Sequence, residues 1–230
     1  MSVLRLCGLT KSEIESGLQK YVERGLGVTI EERFLDARVE FSIYDGSQNR
    51  LAMTTSYIAN EFKDYLYSTT DESLEQMCLK LLKHNNLVLS TAESLTGGMV
   101  SSRITSVPGA SESFFEGIVC YDSLAKVVRC RVSRQTIERV GAVSKQTAYE
   151  MVRGLLVGKT TIALSTTGVA GPSPSEGKKV GLVYIGVGRD NFIPVFEHNF
   201  TGDRQEIREK TTNMALFYLV RYLQGNILLL

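Results

Sequence analysis

The sequence predicts an α/β protein: a mixed sheet with helices on both faces in three layers, preceded by a small α+β unit. Three observations support this fold class. After residue 70, short apolar runs alternate with amphipathic helical stretches, a pattern typical of an α/β sheet. Before residue 70, one helix is followed by two stretches of alternating polarity. A polar joint at 67–71 separates the two patterns, so we expect domains at 1–70 and 71–230.

The small unit is predicted to have the order β-α-β-β-α. Residues 3–7 form a short strand, and a capping-box pattern at Thr10 begins a helix. The stretches at 28–34 and 37–45 have nearly alternating polarity, which predicts an antiparallel pair. Residues 51–67 have apolar side chains at helical spacing and are expected to form the second helix.

The larger unit is predicted to alternate helices and strands before it ends in a hairpin and a long helix. The segment from 123 to 158 is mostly helical, with breaks near Ser133 and Gly141. The other predicted elements are a helix at 71–84, a strand at 87–91, a helix at 97–106, strands at 114–121 and 160–167, a hairpin over 180–200 that turns at 188–191, and a helix at 203–223.

Composition excludes several classes of function. The chain is 43% apolar and 22% charged with a net charge of +1, so we expect no nucleic-acid or membrane partner. It has no bilayer-length apolar run and no secretion signal, which favours a cytoplasmic protein. Its four cysteines form no CxxC pair and are expected to be reduced and buried. Its two histidines are far apart and lack ligand spacing, so we expect no metal site and no histidine-based triad. We also expect no cofactor.

The stretch TAESLTGG, residues 91–98, is the first candidate for chemistry. A predicted strand ends there, Ser94 stands at the turn, and two glycines open a helix. The backbone at Thr96, Gly97 and Gly98 is placed to bind a phosphate or an oxyanion. The same pattern also fits a capped helix with tight packing, and the spacing alone leaves both interpretations open.

Three further stretches follow predicted strands. They contribute Tyr121 and Lys126, then Thr167 and Gly168, and finally Arg204, which is suited to a bidentate phosphate contact. Each has a plain structural alternative, respectively a half-buried tyrosine beside a solvated lysine, a simple turn, and a surface arginine. Because histidine is scarce, a lysine with a depressed pKa is the candidate base for a serine nucleophile, assisted by a tyrosine hydroxyl.

A family resemblance covers nearly the whole larger unit. Six motifs occur in one order between residues 71 and 222: TAESLTGG, VPGASESFFEGIVCYDSLAK, RVGAVS, TTGVAGP, KVGLVYIGV and FTGDRQEIREK. In this region the chain resembles the C-terminal domain of CinA, the competence/damage-inducible family, which is a nicotinamide-nucleotide amidase domain. Residues 1–70 resemble the KH-like middle domain of longer members. The family's large N-terminal, pyrophosphatase-type domain is expected to be absent.

The resemblance implies an activity and a set of roles. The activity is hydrolysis of the carboxamide of nicotinamide mononucleotide to nicotinate mononucleotide and ammonia, without a metal. By position, the resemblance makes Ser94 the nucleophile, Lys126 the base and Tyr121 its partner. It also places Thr167 in the lining of the site and Arg204 at the substrate phosphate. It further implies a homo-oligomer.

The sequence also departs from the family pattern. Leu95 stands where the family usually has cysteine, Ser123 and Leu124 replace an asparagine and a glutamate, and the loop after Pro172 lacks an Asp-Gly-Gly segment. The small unit has no GxxG motif between two helices, so RNA binding of the KH type is not expected. The alternative to an amidase is a nucleotide-binding or scaffold protein that has kept the fold and lost turnover.

Overall fold

The computed structural model describes residues 2–44, 46–190 and 192–227. The predicted domains at 1–70 and 71–230 therefore include six residues that lie outside the described part, among them the hairpin-turn residue Asn191. The described residues form two sheets with helices packed against them, which confirms the predicted fold class.

The first sheet belongs to the small unit. Its four strands have the order β2-β3-β1-β4, and every neighbouring pair is antiparallel. Two helices supply apolar side chains to its core, among them Ile14 and Ile58. The elements of this unit are β1 (Ser2–Cys7), α1 (Lys11–Val22), β2 (Leu26–Arg33), β3 (Asp36–Ile43), α2 (Gln48–Glu61) and β4 (Leu66–Ser68).

The second helix of the small unit is shorter than predicted, and a strand follows it. α2 ends at Glu61, and β4 pairs with β1, so the observed order is β-α-β-β-α-β. The side chain of Tyr67 is buried in β4, where its hydroxyl accepts from Arg5 Nε at 2.8 Å and donates to Asp36 Oδ1 at 2.9 Å. Pairing with β1 outweighs the helical spacing of residues 62–66, because tertiary contacts override local propensity.

The second sheet belongs to the larger unit and is mixed. Its order is β6-β5-β7-β8-β9, with β5 parallel to both of its neighbours and the last two strands antiparallel. The elements of this unit are α3 (Leu74–His84), β5 (Leu89–Glu93), α4 (Met99–Thr105), β6 (Phe114–Val119), α5 (Ser123–Cys130), α6 (Arg134–Val140), α7 (Lys145–Leu155), β7 (Ile162–Gly168), β8 (Leu182–Gly188), β9 (Val195–Asn199) and α8 (Arg204–Leu223).

Helices cover both faces of the second sheet. Successive side chains of a strand point to opposite faces, and β7 illustrates the consequence. Ile162 and Leu164 belong to the core that also contains residues of α3, α4 and α8, whereas Ala163 belongs to the core formed with α7. The central strand is therefore buried on both sides, as expected for a three-layer fold.

The two units are in direct contact along α8. Asn213 Nδ2 donates to the carbonyl of Phe34 at 2.8 Å, and Arg221 Nη1 donates to the carbonyl of Lys63 at 3.0 Å. Cys7 and Tyr67 of the small unit belong to the main apolar core of the larger one. The two sheets thus share buried surface, and the division of the chain at residue 70 stays a prediction.

Candidate functional site

The candidate site lies at the carboxyl ends of the three parallel strands. Ser94 directly follows β5, the central strand of the three, while Tyr121 follows β6 and Gly168 ends β7. The chain leaves β5 toward β6 on one side and reaches β7 on the other, so the site occupies a topological switch point of the sheet. A cavity of about 400 Å³ opens here, and all three of these residues line it.

Lys126 and Ser94 meet at the base of this cavity. Lys126 Nζ lies 2.9 Å from Ser94 Oγ, within hydrogen-bonding distance. The same nitrogen donates to the backbone carbonyl of Cys120 at 2.9 Å and to that of Tyr121 at 3.3 Å. Lys126 reaches this position because α5 begins three residues before it, capped by the side chain of Asp122, only a short turn after β6. The residue is 2% exposed, an unusual burial for a lysine.

The environment of Lys126 favours the neutral amine. Burial lowers the pKa of Lys126 from its ordinary value, while the acidic groups around it, Cys120, Cys130, Glu176 and Asp122, oppose the shift. No described carboxylate forms an ion pair with it. A buried amine without a carboxylate partner loses its proton more readily than an exposed lysine, as a general base requires, because desolvation penalises its charged form.

The turn that carries Ser94 is tied to the next strand. The backbone amide of Ser94 donates to the carbonyl of Thr166 at 3.0 Å, and the hydroxyls of Thr96 and Thr166 lie 2.7 Å apart. The turn closes when the amide of Gly97 donates to the carbonyl of Ser94 at 3.1 Å. Gly97 and Gly98 both have positive φ angles, of 60° and 95°, which explains the glycine pair of the motif.

Glu93 holds the opposite side of the turn, and sequence reasoning assigned it no role. Its carboxylate is buried and accepts from the amides of Gly98, Val100 and Ser101 at 2.8 to 3.1 Å, and from the Ser101 hydroxyl at 2.6 Å. The first amides of α4 are thus occupied by an internal carboxylate, an arrangement favoured by the helix dipole. The sequence signal for this role was an acidic residue at the end of a strand, shortly before a glycine-rich helix start.

Two of the three predicted backbone amides, those of Gly97 and Gly98, therefore find partners within the chain. The amide of Gly97 is bonded to Ser94 and that of Gly98 to Glu93, and Thr96, Gly97 and Gly98 do not line the cavity. By contrast, the amides of Leu95 and Thr96 form no hydrogen bond with any described residue. Leu95 lines the cavity beside Ser94. The free donors of the turn are thus one or two residues after the serine.

Tyr121 and Arg204 form a pair at the mouth of the cavity. Arg204 Nη2 donates to the hydroxyl of Tyr121 at 2.9 Å, and Arg204 Nη1 donates to the carbonyl of Gly171 at 2.6 Å. Tyr121 is 58% exposed, and among described residues its hydroxyl contacts neither Ser94 nor Lys126. Ser94, Tyr121, Lys126 and Arg204 all line one cavity, as predicted. The tyrosine hydroxyl, however, lies beside the arginine and not beside the serine or the lysine.

Of the two predicted residues at the end of β7, Gly168 lines the cavity, whereas Thr167 does not and packs behind it. Thr167 is fully buried, and its hydroxyl donates to the carbonyl of Ala142 at 2.7 Å, which ties the strand to the segment before α7. Gly168 lines the cavity, and a Cβ at this position would lie 2.8 Å from the carbonyl oxygen of Leu182. The glycine is therefore required by close packing between β7 and β8.

The loop after Pro172 forms the remaining wall. Glu176 in this loop accepts from the amides of Ala142 and Val143 at 3.1 and 3.2 Å, and it pairs with Lys178 at 3.0 Å. Lys178 Nζ also donates to the carbonyl of Val140 at 2.8 Å. The loop that departs most from the family pattern is thus pinned to the end of α6, and Glu176 lines the cavity.

The side chains of the cysteines and histidines form no hydrogen bond with Ser94, Lys126, Tyr121 or Arg204 among the described residues. All four cysteines are free and buried. His198 on β9 is half-buried and hydrogen-bonds the hydroxyl of Tyr218, and this burial lowers its pKa to about 4. Within the described ranges, no three His, Cys, Asp or Glu side chains are grouped to hold a metal ion. None of the helices described is long and apolar enough to cross a membrane.

Comparison with known proteins identifies the family. Residues 71–223 match the family model of the CinA C-terminal domain. The chain belongs to the CinA family. A CinA-like protein of Kosmotoga olearia is 35% identical over 229 residues, with 96% of this chain and 56% of the relative covered. A CinA-like protein of Fusobacterium nucleatum is 39% identical over 184 residues, with 79% and 45% covered. The chain thus spans about half the length of these CinA relatives.

Solved CinA structures match the fold. The competence/damage inducible protein CihA of Agrobacterium tumefaciens has a TM-score of 0.61 and 33% identity, covering 68% of this chain and 99% of that one. A CinA superfamily protein of Klebsiella pneumoniae has a TM-score of 0.64 and 27% identity, covering 66% and 96%. These chains are similar to about two thirds of the present one, in line with the extent of the CinA domain match.

Proposed function

We propose that this CinA-family chain is an amidohydrolase that converts nicotinamide mononucleotide to nicotinate mononucleotide and ammonia. The observation that carries the proposal is the buried contact of 2.9 Å between Lys126 Nζ and Ser94 Oγ, at the base of a polar cavity. The substrate comes from the family resemblance. The cavity volume of about 400 Å³ lies within the range of small-molecule sites.

The two carbonyls around Lys126 support its role as the base. A neutral amine has two N–H donors and one lone pair. When Lys126 donates to the carbonyls of Cys120 and Tyr121, its lone pair is left for the hydroxyl proton of Ser94. The same geometry therefore orients the amine and activates the serine, and it does so without the tyrosine hydroxyl.

The proposed reaction has two stages. Lys126 takes the proton of Ser94 as Oγ bonds to the amide carbon, and the resulting ammonium gives that proton to the amide nitrogen as the carbon–nitrogen bond breaks. Ammonia leaves, and an ester joins the nicotinoyl group to Ser94. Water then attacks the ester, with Lys126 again taking a proton and returning it to Ser94 Oγ, which releases the carboxylate product.

Hydrogen-bond donors near Ser94 and at the mouth of the cavity are assigned to bind the oxyanion and the phosphate of the substrate. The amides of Leu95 and Thr96 are available to stabilise the oxyanion, as in nucleophile turns where the residue after the serine donates its amide. Arg204 at the mouth is suited to the substrate phosphate, and Tyr121 holds its guanidinium by a hydrogen bond of 2.9 Å. The predicted catalytic role of Tyr121 thus becomes a proposal that it orients Arg204.

The test is ammonia release from nicotinamide mononucleotide by the purified chain, beside the Ser94→Ala variant. We expect turnover by the unsubstituted protein and loss of turnover in Ser94→Ala. Retained turnover in that variant contradicts the serine mechanism. A ligand-induced rise in melting temperature without ammonia release supports the alternative, a nucleotide-binding or scaffold protein. Light scattering on the same sample tests the expected homo-oligomer.

A further inference from the structure

Arg208 reaches from α8 to the turn that carries the nucleophile. Its Nε donates to the carbonyl of Leu95 at 2.9 Å, and its Nη2 donates to the carbonyl of Thr96 at 3.1 Å. A Cβ at Gly97 would lie 3.3 Å from Nη2, so the guanidinium packs directly over this turn. Nη1 is held by the side chain of Gln205 at 3.1 Å. The planar fork of an arginine is suited to two adjacent acceptors.

The charge of Arg208 has no carboxylate partner among the described residues. The ion pairs of the described chain do not include it, although the neighbouring part of α8 carries Glu206 and Glu209. Its three hydrogen bonds go to two backbone carbonyls and one amide side chain. A half-buried guanidinium that binds carbonyls of the nucleophile turn requires an explanation beyond surface charge.

Peptide geometry gives that explanation. A peptide unit is planar and trans, so its carbonyl and its N–H point in opposite directions. The carbonyl of Leu95 and the amide of Thr96 belong to one such unit. When Arg208 holds this carbonyl on the α8 side, it fixes the Thr96 N–H on the opposite side. That N–H and the one of Leu95 have no acceptor among the described residues, whereas buried amides are nearly always paired.

We propose that Arg208 is a positioning residue that holds the amides of Leu95 and Thr96 in place for the oxyanion of the substrate. Glu93 fixes the α4 side of the turn through the amides of Gly98, Val100 and Ser101, and Arg208 fixes the remaining side. The positive guanidinium also polarises the peptide unit it binds, which makes the Thr96 N–H a stronger donor. The inference rests on the proposed function for the identity of the oxyanion.

The experiment compares Arg208→Met and Arg208→Lys with a matched control on the same helix, Lys210→Met. Lys210 also donates to a backbone carbonyl, that of Thr201 at 2.6 Å, but it lies away from the turn. The first readout is hydrogen exchange at the amides of Gly97 and Met99, which the closed turn bonds to Ser94 and Thr96. The second is the rate at which a fluorophosphonate probe labels Ser94. The third is kcat and KM on nicotinamide mononucleotide.

We expect faster exchange at both amides in Arg208→Met and a loss of about 10- to 100-fold in labelling rate and kcat, with KM changed by less than about twofold. Loss of a single oxyanion donor costs about 100- to 1000-fold, and a loosened donor costs less. Arg208→Lys keeps the charge with a single donor group and is expected to fall between Arg208→Met and the unsubstituted protein. Lys210→Met is expected to match the unsubstituted protein.

Two results overturn the proposal. One is unchanged exchange and labelling in Arg208→Met, and the other is a rise in KM with kcat unchanged, which assigns Arg208 to substrate binding. If Arg208→Met does not fold, the Arg208→Lys variant decides by the same criteria. Failure of the proposed function is a different result: the unsubstituted protein releases no ammonia, while exchange at Gly97 and Met99 still reports whether Arg208 holds the turn.

Discussion

Replacement of Lys126 by methionine removes the proposed base while keeping a side chain of similar length in its buried position. The amine contacts three oxygen atoms, the Ser94 hydroxyl and the carbonyls of Cys120 and Tyr121. Methionine fills an irregular apolar space well and accepts no proton from a hydroxyl at neutral pH. The substitution therefore separates the chemical role of the lysine from its packing.

The magnitudes for catalysis and stability differ enough to be told apart. A general base contributes about 100- to 10,000-fold to a rate, which is about 3–5 kcal/mol in the activation free energy. The lost hydrogen bonds to two carbonyls cost about 1 kcal/mol each in the free energy of unfolding. Part of this cost is offset because methionine, unlike lysine, has no amine to remove from water. We therefore expect a fall in melting temperature of no more than about 8 °C, so the variant stays folded at 25 °C.

The assay is ammonia release at 25 °C together with thermal unfolding, with Lys159→Met as the control. Lys159 is exposed and lies just before β7, at the amino end of the strands, away from the cavity. In the unsubstituted protein, kcat is expected to rise with pH through the pKa of Lys126. Because burial lowers that pKa, the rise lies below the ordinary lysine range. A Lys126→Met protein that keeps more than a tenth of the activity refutes the reasoning.

Two further predictions concern Arg204 at the mouth of the cavity and the half-buried His198. Arg204→Ala is expected to raise KM for nicotinamide mononucleotide about 10- to 100-fold and to leave hydrolysis of free nicotinamide unchanged, because a hydrogen bond to a charged group is worth about 1.5–3 kcal/mol; equal effects on both substrates contradict a phosphate contact. For His198, burial lowers the pKa to about 4 from an ordinary 6.5, so the unfolded chain binds the proton more readily. Its share of stability is complete above pH 6.5 and lost as the pH falls to 4, about 3 kcal/mol in all; chemical denaturation across this range, with His198→Gln showing a smaller loss, measures it.

The sequence correctly predicted which edge of the sheet carries the main residues of the site. Ser94, Tyr121 and Gly168 each follow or end a parallel strand, and the carboxyl ends of such strands share one edge. The strand positions were readable because buried apolar runs between turn residues are a strong local signal. The closeness of Lys126 to Ser94 then follows from the short turn between β6 and α5.

Contacts that depend on side-chain direction were not predictable in the same way. The roles of Glu93 and Arg208 depend on how a single turn is oriented between a helix start and a distant helix. Residues 95 and 208 are 113 positions apart, and no local pattern marks such a pair. β4 escaped detection for a similar reason, because its strand conformation depends on pairing with β1.

The loop after Pro172 carries a charge that acts on the pKa of Lys126, the proposed base. Glu176 lines the cavity and its negative charge raises the pKa of Lys126, although burial dominates and the net shift is downward. The nearby Lys178 and the amides of Ala142 and Val143 hold the pKa of Glu176 below its usual value, although burial alone would raise it, so the carboxylate is ionised at neutral pH. The loop thus sets the charge that faces the base.

Opposite substitutions in this pair are expected to move the pH profile in opposite directions. Glu176→Gln removes a negative charge near Lys126, so its pKa falls further and the rise of kcat moves to lower pH. Lys178→Met leaves the charge of Glu176 less balanced, so the rise moves to higher pH. Both variants remove a contact of the loop and would loosen it, so loosening alone would shift both pH profiles in the same direction. Shifts of the same sign, or none, contradict electrostatic control of Lys126 by this loop.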